Sequence, residues 1–188
     1  MLLVLVAGKR GAGKSLFAEV GKELGIPSYE MSQNIVELML KTDILISNFS
    51  LREFSDALRK EKGKDAVAKL MCAKLKKEEG AQKAKSRKCA IILGVRSQEE
   101  VSHFVSQGFE IITAAIIADE KIRFSRIQAR RRPEDAKTLE DFRWADNIES
   151  GWGLGEVLEQ AEFKVENEGT AEQAKYLIRS FLSRASAA

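Results

Sequence analysis

Short uninterrupted apolar runs alternate along the chain with segments whose apolar residues recur every three to four positions. Residues 2–6 form the first run, which closes before Gly8. A run apolar on both sides of its pleat reads as a strand buried on both faces, as in a parallel sheet. Residues 15–24 follow with Leu16, Phe17, Val20 and Leu24 at helical spacing, and Gly25-Ile26-Pro27 ends that helix. A short extended piece at 28–31 leads to a helix over 34–40 and then to irregular chain as far as Phe49. Residues 51–79 are helical and highly charged, with a break at Gly63. Beyond a polar connector at 80–88, strands are expected at 90–93, 110–117 and 163–165. Helices are expected at 97–106, 119–130, 139–148 and 171–182. Gly151, Gly153 and Gly155 mark a glycine-rich corner, and the small residues at 185–188 are expected to fray.

Strands alternating with helices imply an α/β fold, here a three-layer sandwich around a five-stranded parallel sheet with right-handed crossovers. The helical stretch after the second strand is too long for one crossover. It predicts a lobe over about 32–80 beside the sheet, within one domain spanning residues 1–188.

Between the first strand and first helix lies Gly8-Lys9-Arg10-Gly11-Ala12-Gly13-Lys14-Ser15, which satisfies G-x-x-x-x-G-K-[ST]. Glycines let such a loop wrap a phosphate so that successive N–H groups point inward, and the helix N-terminus adds its positive end. Lys14 then offsets the charge of the β- and γ-phosphates, and the Ser15 hydroxyl serves Mg²⁺. The motif sits in the strand–loop–helix context that such a site needs. ATP and Mg²⁺ are the expected cofactors.

Composition narrows the remaining classes. The 188 residues are 44% hydrophobic and 31% charged, the balance of a globular protein rather than a disordered one. A net charge of +3 is too mild to argue for nucleic acid or an anionic membrane. Two separated cysteines, Cys72 and Cys89, and one histidine, His103, argue against a zinc ribbon, a disulfide scaffold or a thioredoxin-type site. No apolar run approaches membrane-span length, and the opening residues lack the basic leader of a signal peptide, so the chain is expected to be cytoplasmic.

The chain resembles the nucleotide-kinase branch of P-loop proteins, alongside adenylate kinases and dephospho-coenzyme A kinases. It is most similar to an uncharacterised archaeal group of small kinase-like proteins. The resemblance spans nearly the whole chain. It is carried by the glycine-rich loop, Gly63-Lys64-Asp65-Ala66-Val67-Ala68 and Gly94-Val95-Arg96-Ser97-Gln98-Glu99-Glu100. Further markers are Arg123-Phe124-Ser125-Arg126, Glu140-Asp141-Phe142, Gly153-Leu154-Gly155-Glu156-Val157 and Asn167-Glu168-Gly169. It implies a short lid near 130–138 whose arginines, Arg126, Arg130 and Arg132, clamp the phosphates during transfer. It also implies that Arg96 contacts the acceptor's phosphate and that Asn167 and Gly169 border the adenine ring. Gly8, Lys9, Arg10, Gly11, Ala12, Gly13, Lys14, Ser15 and Phe17 complete the expected nucleotide set. Lys14, Arg96 and the three lid arginines are the expected catalytic residues, and Ser15 the metal ligand.

Ordinary packing or solvated roles suit His103, Trp144, Trp152 and the basic connector Lys83, Lys85, Arg87 and Lys88. The arginine cluster, read instead as a solvated basic face, leaves an ATP-dependent regulatory or RNA-associated protein as the alternative.

Two departures from the group's pattern bear on the substrate. Leu93 stands where an aspartate is expected to help hold the metal's water shell. Met31-Ser32-Gln33 replaces a stretch expected to carry a second aspartate. A hydroxyl acceptor benefits from a carboxylate base, whereas a monophosphate is already anionic. The expectation is a phosphotransferase that binds ATP tightly, transfers slowly and prefers a nucleoside monophosphate to a hydroxyl acceptor, as in dephospho-coenzyme A kinase.

Overall fold

The computed structural model describes residues 1–80, 88–130 and 135–187. Strands β1 (Leu2–Ala7), β2 (Ser28–Glu30), β3 (Cys89–Leu93), β4 (Glu110–Ile117) and β5 (Phe163–Glu166) form one sheet, in the order β2-β3-β1-β4-β5. Every pairing is parallel, and β1 sits at the centre with Val6 opposite Leu93 and Ala114.

The continuous apolar runs are explained by the layers. On β1, Val4 and Val6 face one apolar cluster, shared with α1 (Ser15–Glu23) and α9 (Ala171–Ala187). Leu3, Leu5 and Ala7 face the other, which takes in α2 (Met31–Met39), α4 (Ala66–Gly80), α5 (Gln98–Ser106) and α8 (Leu154–Gln160). A strand wet on neither face needs no polar alternation. Between α2 and α4 lies α3 (Asn48–Lys62), and α6 (Glu120–Arg130) and α7 (Leu139–Gly151) follow β4. A small apolar cluster of Ile127, Ala136 and Phe142 holds α6 and α7 together.

Several boundaries differ from the sequence reading. The second helix starts at Met31, directly from β2, rather than at residue 34. The third starts at Asn48, because Ser47 and Ser50 form a reciprocal cap that reaches back before the apolar pattern begins. The glycine-rich corner gives way to an unanticipated helix, α8, whose Leu154 and Val157 enter the core. The C-terminal tail does not fray as expected: α9 continues to Ala187 because Ala185 is buried in the α1–α9 cluster. The connector residues Lys83, Lys85 and Arg87 lie outside the described residues, as do residues 131–134 of the expected lid, Arg132 among them.

Candidate active site

The loop between β1 and α1 is shaped by close approaches that only glycine permits at two positions. Gly11 has φ +78°, and a Cβ there would lie 2.5 Å from the Arg123 carbonyl oxygen. Gly13 has φ +106° and abuts the Asn167 side-chain amide. Both neighbours also bond to the loop. Arg123 donates from Nη1 to the Arg10 carbonyl at 3.0 Å, and Asn167 Nδ2 donates to the Ala12 carbonyl at 2.8 Å. Arg123 is buried, pairs with Asp146 at 2.7 Å and lies over the Phe142 ring. It braces the loop from behind.

Lys14 folds its ammonium onto the Gly8 and Lys9 carbonyls at 2.5 and 3.2 Å. Burial is the largest influence on it, and with the positive charge of Arg96 it lowers the pKa to about 8 against the pull of Glu149 and Glu30.

A cleft of about 240 Å³ opens beside this loop, at the carboxyl ends of β1, β2 and β3, where ligands gather in open parallel sheets. Among the described residues lining it, Arg10, Lys14, Arg52, Arg59, Arg96 and Arg130 face two carboxylates, Glu30 and Glu149. Even with Glu100 behind Arg59 and Asp135 behind Arg10 and Arg130, six cations stand against four carboxylates, a balance that suits an anionic ligand.

Buried carboxylates position the arginines. Glu149 accepts from Arg52 at 3.0 Å and stands 3.4 Å from Arg96. Burial opposes its ionisation, but Arg96, Arg52 and Lys14 outweigh that and hold its pKa at about 2. Its second oxygen, Oε2, is buried with no hydrogen-bond partner among the described residues. Glu100, fully buried, accepts from Arg59 at 2.7 Å through Oε1 and from the Arg96 backbone N–H at 2.7 Å through Oε2. Arg59 lies over the Trp152 ring at 4.3 Å, and Trp152 donates to Asp56 at 3.0 Å. A further carboxylate, Asp135, takes a two-point pair from Arg130 and a 2.7 Å bond from Arg10.

Of the residues singled out in the sequence, Arg10, Gly11, Lys14, Ser15, Arg96 and Arg130 line this cleft. Gly8, Lys9, Ala12 and Gly13 shape the loop without lining the cleft. Phe17 is a correction: it is fully buried in the α1–α9 cluster, where a ligand cannot reach it. Arg126 stands 3.5 Å from the Asn167 side-chain oxygen, away from the cleft, and Gly169 lies in the loop between β5 and α9.

The carboxylate expectations also change. Gln33 is exposed and does not line the cleft, whereas Glu30, three residues earlier at the end of β2, does. Leu93 is buried against Val6 and Phe17's cluster rather than exposed to the phosphate side. His103 pairs with Asp65 at 3.2 Å, and Trp144 stacks on Phe49. Trp152 does more than pack, since it lines the cleft.

The sequence reading missed Arg52, Arg59, Glu149 and Trp152. Arg52, Ser55 and Arg59, at i, i+3 and i+7 on α3, were the available signal: one polar face on a helix beside the site.

No family model matches the chain. It is 33% identical over 183 residues to a UPF0200 protein of Hyperthermus butylicus, covering 97% of this chain and 94% of that one. A UPF0200 protein of Staphylothermus marinus is 36% identical over 174 residues, with 93% and 87% covered. The chain belongs to the UPF0200 family. Among solved structures, this UPF0200 member is similar to shikimate kinase from Bacteroides thetaiotaomicron, at a TM-score of 0.61 and 14% identity, covering 97% and 98% of the two chains. It is also similar to dephospho-CoA kinase from Campylobacter jejuni, at 0.53 and 14%, covering 99% and 98%. These likenesses establish a P-loop kinase fold and do not point to adenylate kinases specifically. No helix among the described residues is long and apolar enough to cross a membrane.

Proposed function

We propose that the protein is an ATP-dependent phosphotransferase of the nucleotide-kinase type whose acceptor is a nucleoside monophosphate. One observation carries this reading: cations from two sides meet in a single cleft. Lys14 and Arg10 come from the glycine-rich loop, and Arg52, Arg59 and Arg96 from the facing wall.

In this reading the triphosphate lies on the loop and against the N-terminus of α1. Lys14 leaves the Gly8 and Lys9 carbonyls for the β- and γ-phosphates, and Arg130 adds charge at the transferring group. Arg52, Arg59 and Arg96 hold the acceptor phosphate, pre-set by Glu149 and Glu100 so that little ordering is left for the reaction. An acceptor phosphate oxygen is already anionic and attacks the γ-phosphorus without a base. Mg²⁺ fits the residues present: Ser15 lines the cleft and would serve as its ligand, and Glu149, whose Oε2 has no hydrogen-bond partner among the described residues, would offer an acceptor to the metal's water shell. The bound metal would supply charge neutralisation on the phosphate oxygens.

Glu30 favours a second reading, transfer to a hydroxyl, because it places in the cleft the carboxylate that Gln33 does not supply. A panel of nucleoside monophosphates, dephospho-coenzyme A and small polyols, assayed for ADP release from Mg·ATP, separates the two. The first reading predicts ADP release that depends on a monophosphate and survives Glu30→Gln. Release that depends on a hydroxyl compound and is lost in Glu30→Gln supports the second.

A further inference from the structure

Helices α3 and α7 lie side by side, and their contacts advance along both in the same direction. Phe49 stacks on Trp144 with ring centroids 5.0 Å apart and planes 17° from parallel. One turn further along α3, Arg52 pairs with Glu149. Further still, Asp56 and Arg59 meet Trp152 at the end of α7. The seam therefore has an aromatic end and an anion-binding end.

The aromatic end opens into a second hollow, of about 450 Å³, lined by Phe49, Trp144, Ser47 and the carboxylates Asp135, Glu140 and Asp141. Asp135 is the shared wall: it bonds Arg10 and Arg130, which both line the cationic cleft. Phe49 remains 55% exposed even in its stack, so much of its surface stays open to solvent at this hollow. At 1.5 Å per residue, the aromatic pair is offset from the Arg52–Glu149 pair by ~4.5 Å along α3 and ~7.5 Å along α7. These axial offsets of the backbones are of the order that a ribose spans between a phosphate and its base.

The geometry points to the α3–α7 seam as the base subsite of the acceptor, with the nucleobase stacked on the Phe49–Trp144 pair while its 5′-phosphate is held by Arg52, Arg59 and Arg96. This rests on the monophosphate reading above and adds to it where the base goes. Every base has a π-face for such a platform. The carboxylates of Glu140 and Asp141 suit the helix N-terminus on which they sit. With Asp135 they set three carboxylates against one cation, Lys137, around the hollow, an excess of acceptors that suits a base with an exocyclic amino group, such as adenine.

The test is calorimetric binding of AMP and of ribose 5-phosphate to the full chain, with the triphosphate site filled by Mg²⁺ and a non-hydrolysable ATP analogue. Ribose 5-phosphate keeps the phosphate and sugar and lacks the base. Phe49→Ala is expected to weaken AMP at least tenfold, about 1.4 kcal/mol, and to leave ribose 5-phosphate within twofold. Phe49→Tyr is expected to restore AMP binding, since it keeps the ring, and Phe49→Leu to fail, since it keeps only the apolar bulk. Unchanged AMP affinity in Phe49→Ala overturns the subsite and leaves the monophosphate reading standing. Equal loss for both ligands overturns it as well, by making Phe49 a support of the lobe. If wild type binds ribose 5-phosphate as tightly as AMP, no base is recognised. If neither ligand binds, the monophosphate reading itself fails and the subsite with it.

Discussion

The carboxylate of Glu149 accepts a hydrogen bond from Arg52 at 3.0 Å, tying α7 to α3 across the cationic cleft. Both side chains are buried, so each charge needs its partners, and Arg96 and Lys14 share with Arg52 in holding that of Glu149. Because Glu149 is held at a pKa of about 2, it favours the folded state most above the ordinary carboxylate pKa. That contribution fades as pH falls towards 2. Glu149→Gln is expected to lower unfolding stability by on the order of 3 kcal/mol near neutrality. Denaturant titrations of wild type and variant are expected to converge as pH is lowered. A difference that stays constant down to about pH 3 would contradict the pairing as the source of the effect.

Lys14 has the opposite linkage to ligand. With a pKa of about 8, much of it is neutral at pH 8 in the ligand-free protein, and a bound triphosphate restores the ammonium. ATP binding at about pH 8 is therefore expected to take up a fraction of a proton, and affinity to fall as pH rises further. Calorimetry in buffers of different ionisation enthalpy reads this directly. Lys14→Ala is expected to abolish the uptake and weaken ATP at least tenfold, since charge-assisted contacts contribute ~1.5–3 kcal/mol. Uptake persisting in the variant would assign the proton to another group.

Asp135 competes for the same arginines as a phosphate would. It is held at a pKa of about 2: burial acts against ionisation, and the hydrogen bonds from Arg130 and Arg10 prevail. Asp135→Asn removes the competing charge and is expected to tighten ATP several-fold with some loss of thermal stability. Weaker ATP binding in Asp135→Asn would show that the carboxylate orders Arg10 and Arg130 for the nucleotide instead.

Arg123 and Arg130 lie two turns apart on α6 and are expected to behave differently. Arg123 is buried behind the loop, so Arg123→Ala is expected to destabilise the fold by several kcal/mol through loss of a buried ion pair. Arg130 lines the cleft, and its removal leaves Asp135 paired with Arg10, so Arg130→Ala is expected to lower turnover far more than ATP affinity, with a smaller loss of stability than Arg123→Ala. Matching thermal losses in both variants would remove the distinction.

The sheet and the loop were legible because each has a local signature. A strand buried on both faces is a continuous apolar run, as at β1, and the loop is a fixed spacing of glycines with Lys14. The acceptor side was not, because its chemistry is assembled by tertiary contact. Arg52 and Arg59 sit among thirteen other residues of a highly charged helix and read as a solvated face until Glu149 and Glu100 are seen behind them. Glu30 and Gln33 show the same limit. One turn of α2 decides which of them looks into the cleft, and the start of that helix, at Met31, follows from its direct exit from β2. Phe17 was misassigned because adjacency to the loop in sequence says nothing of which face of α1 is buried.

In the proposed reaction the γ-phosphate of ATP passes to a phosphate-bearing acceptor held by Arg52, Arg59 and Arg96. Phosphorus NMR of the wild-type protein with Mg·ATP and a nucleoside monophosphate follows every phosphate at once. The γ-phosphate signal is expected to fall as the monophosphate signal is replaced by a diphosphate, with Arg59→Ala slowing the exchange and leaving ATP binding intact. Release of inorganic phosphate alone, with the monophosphate signal unchanged, would contradict it.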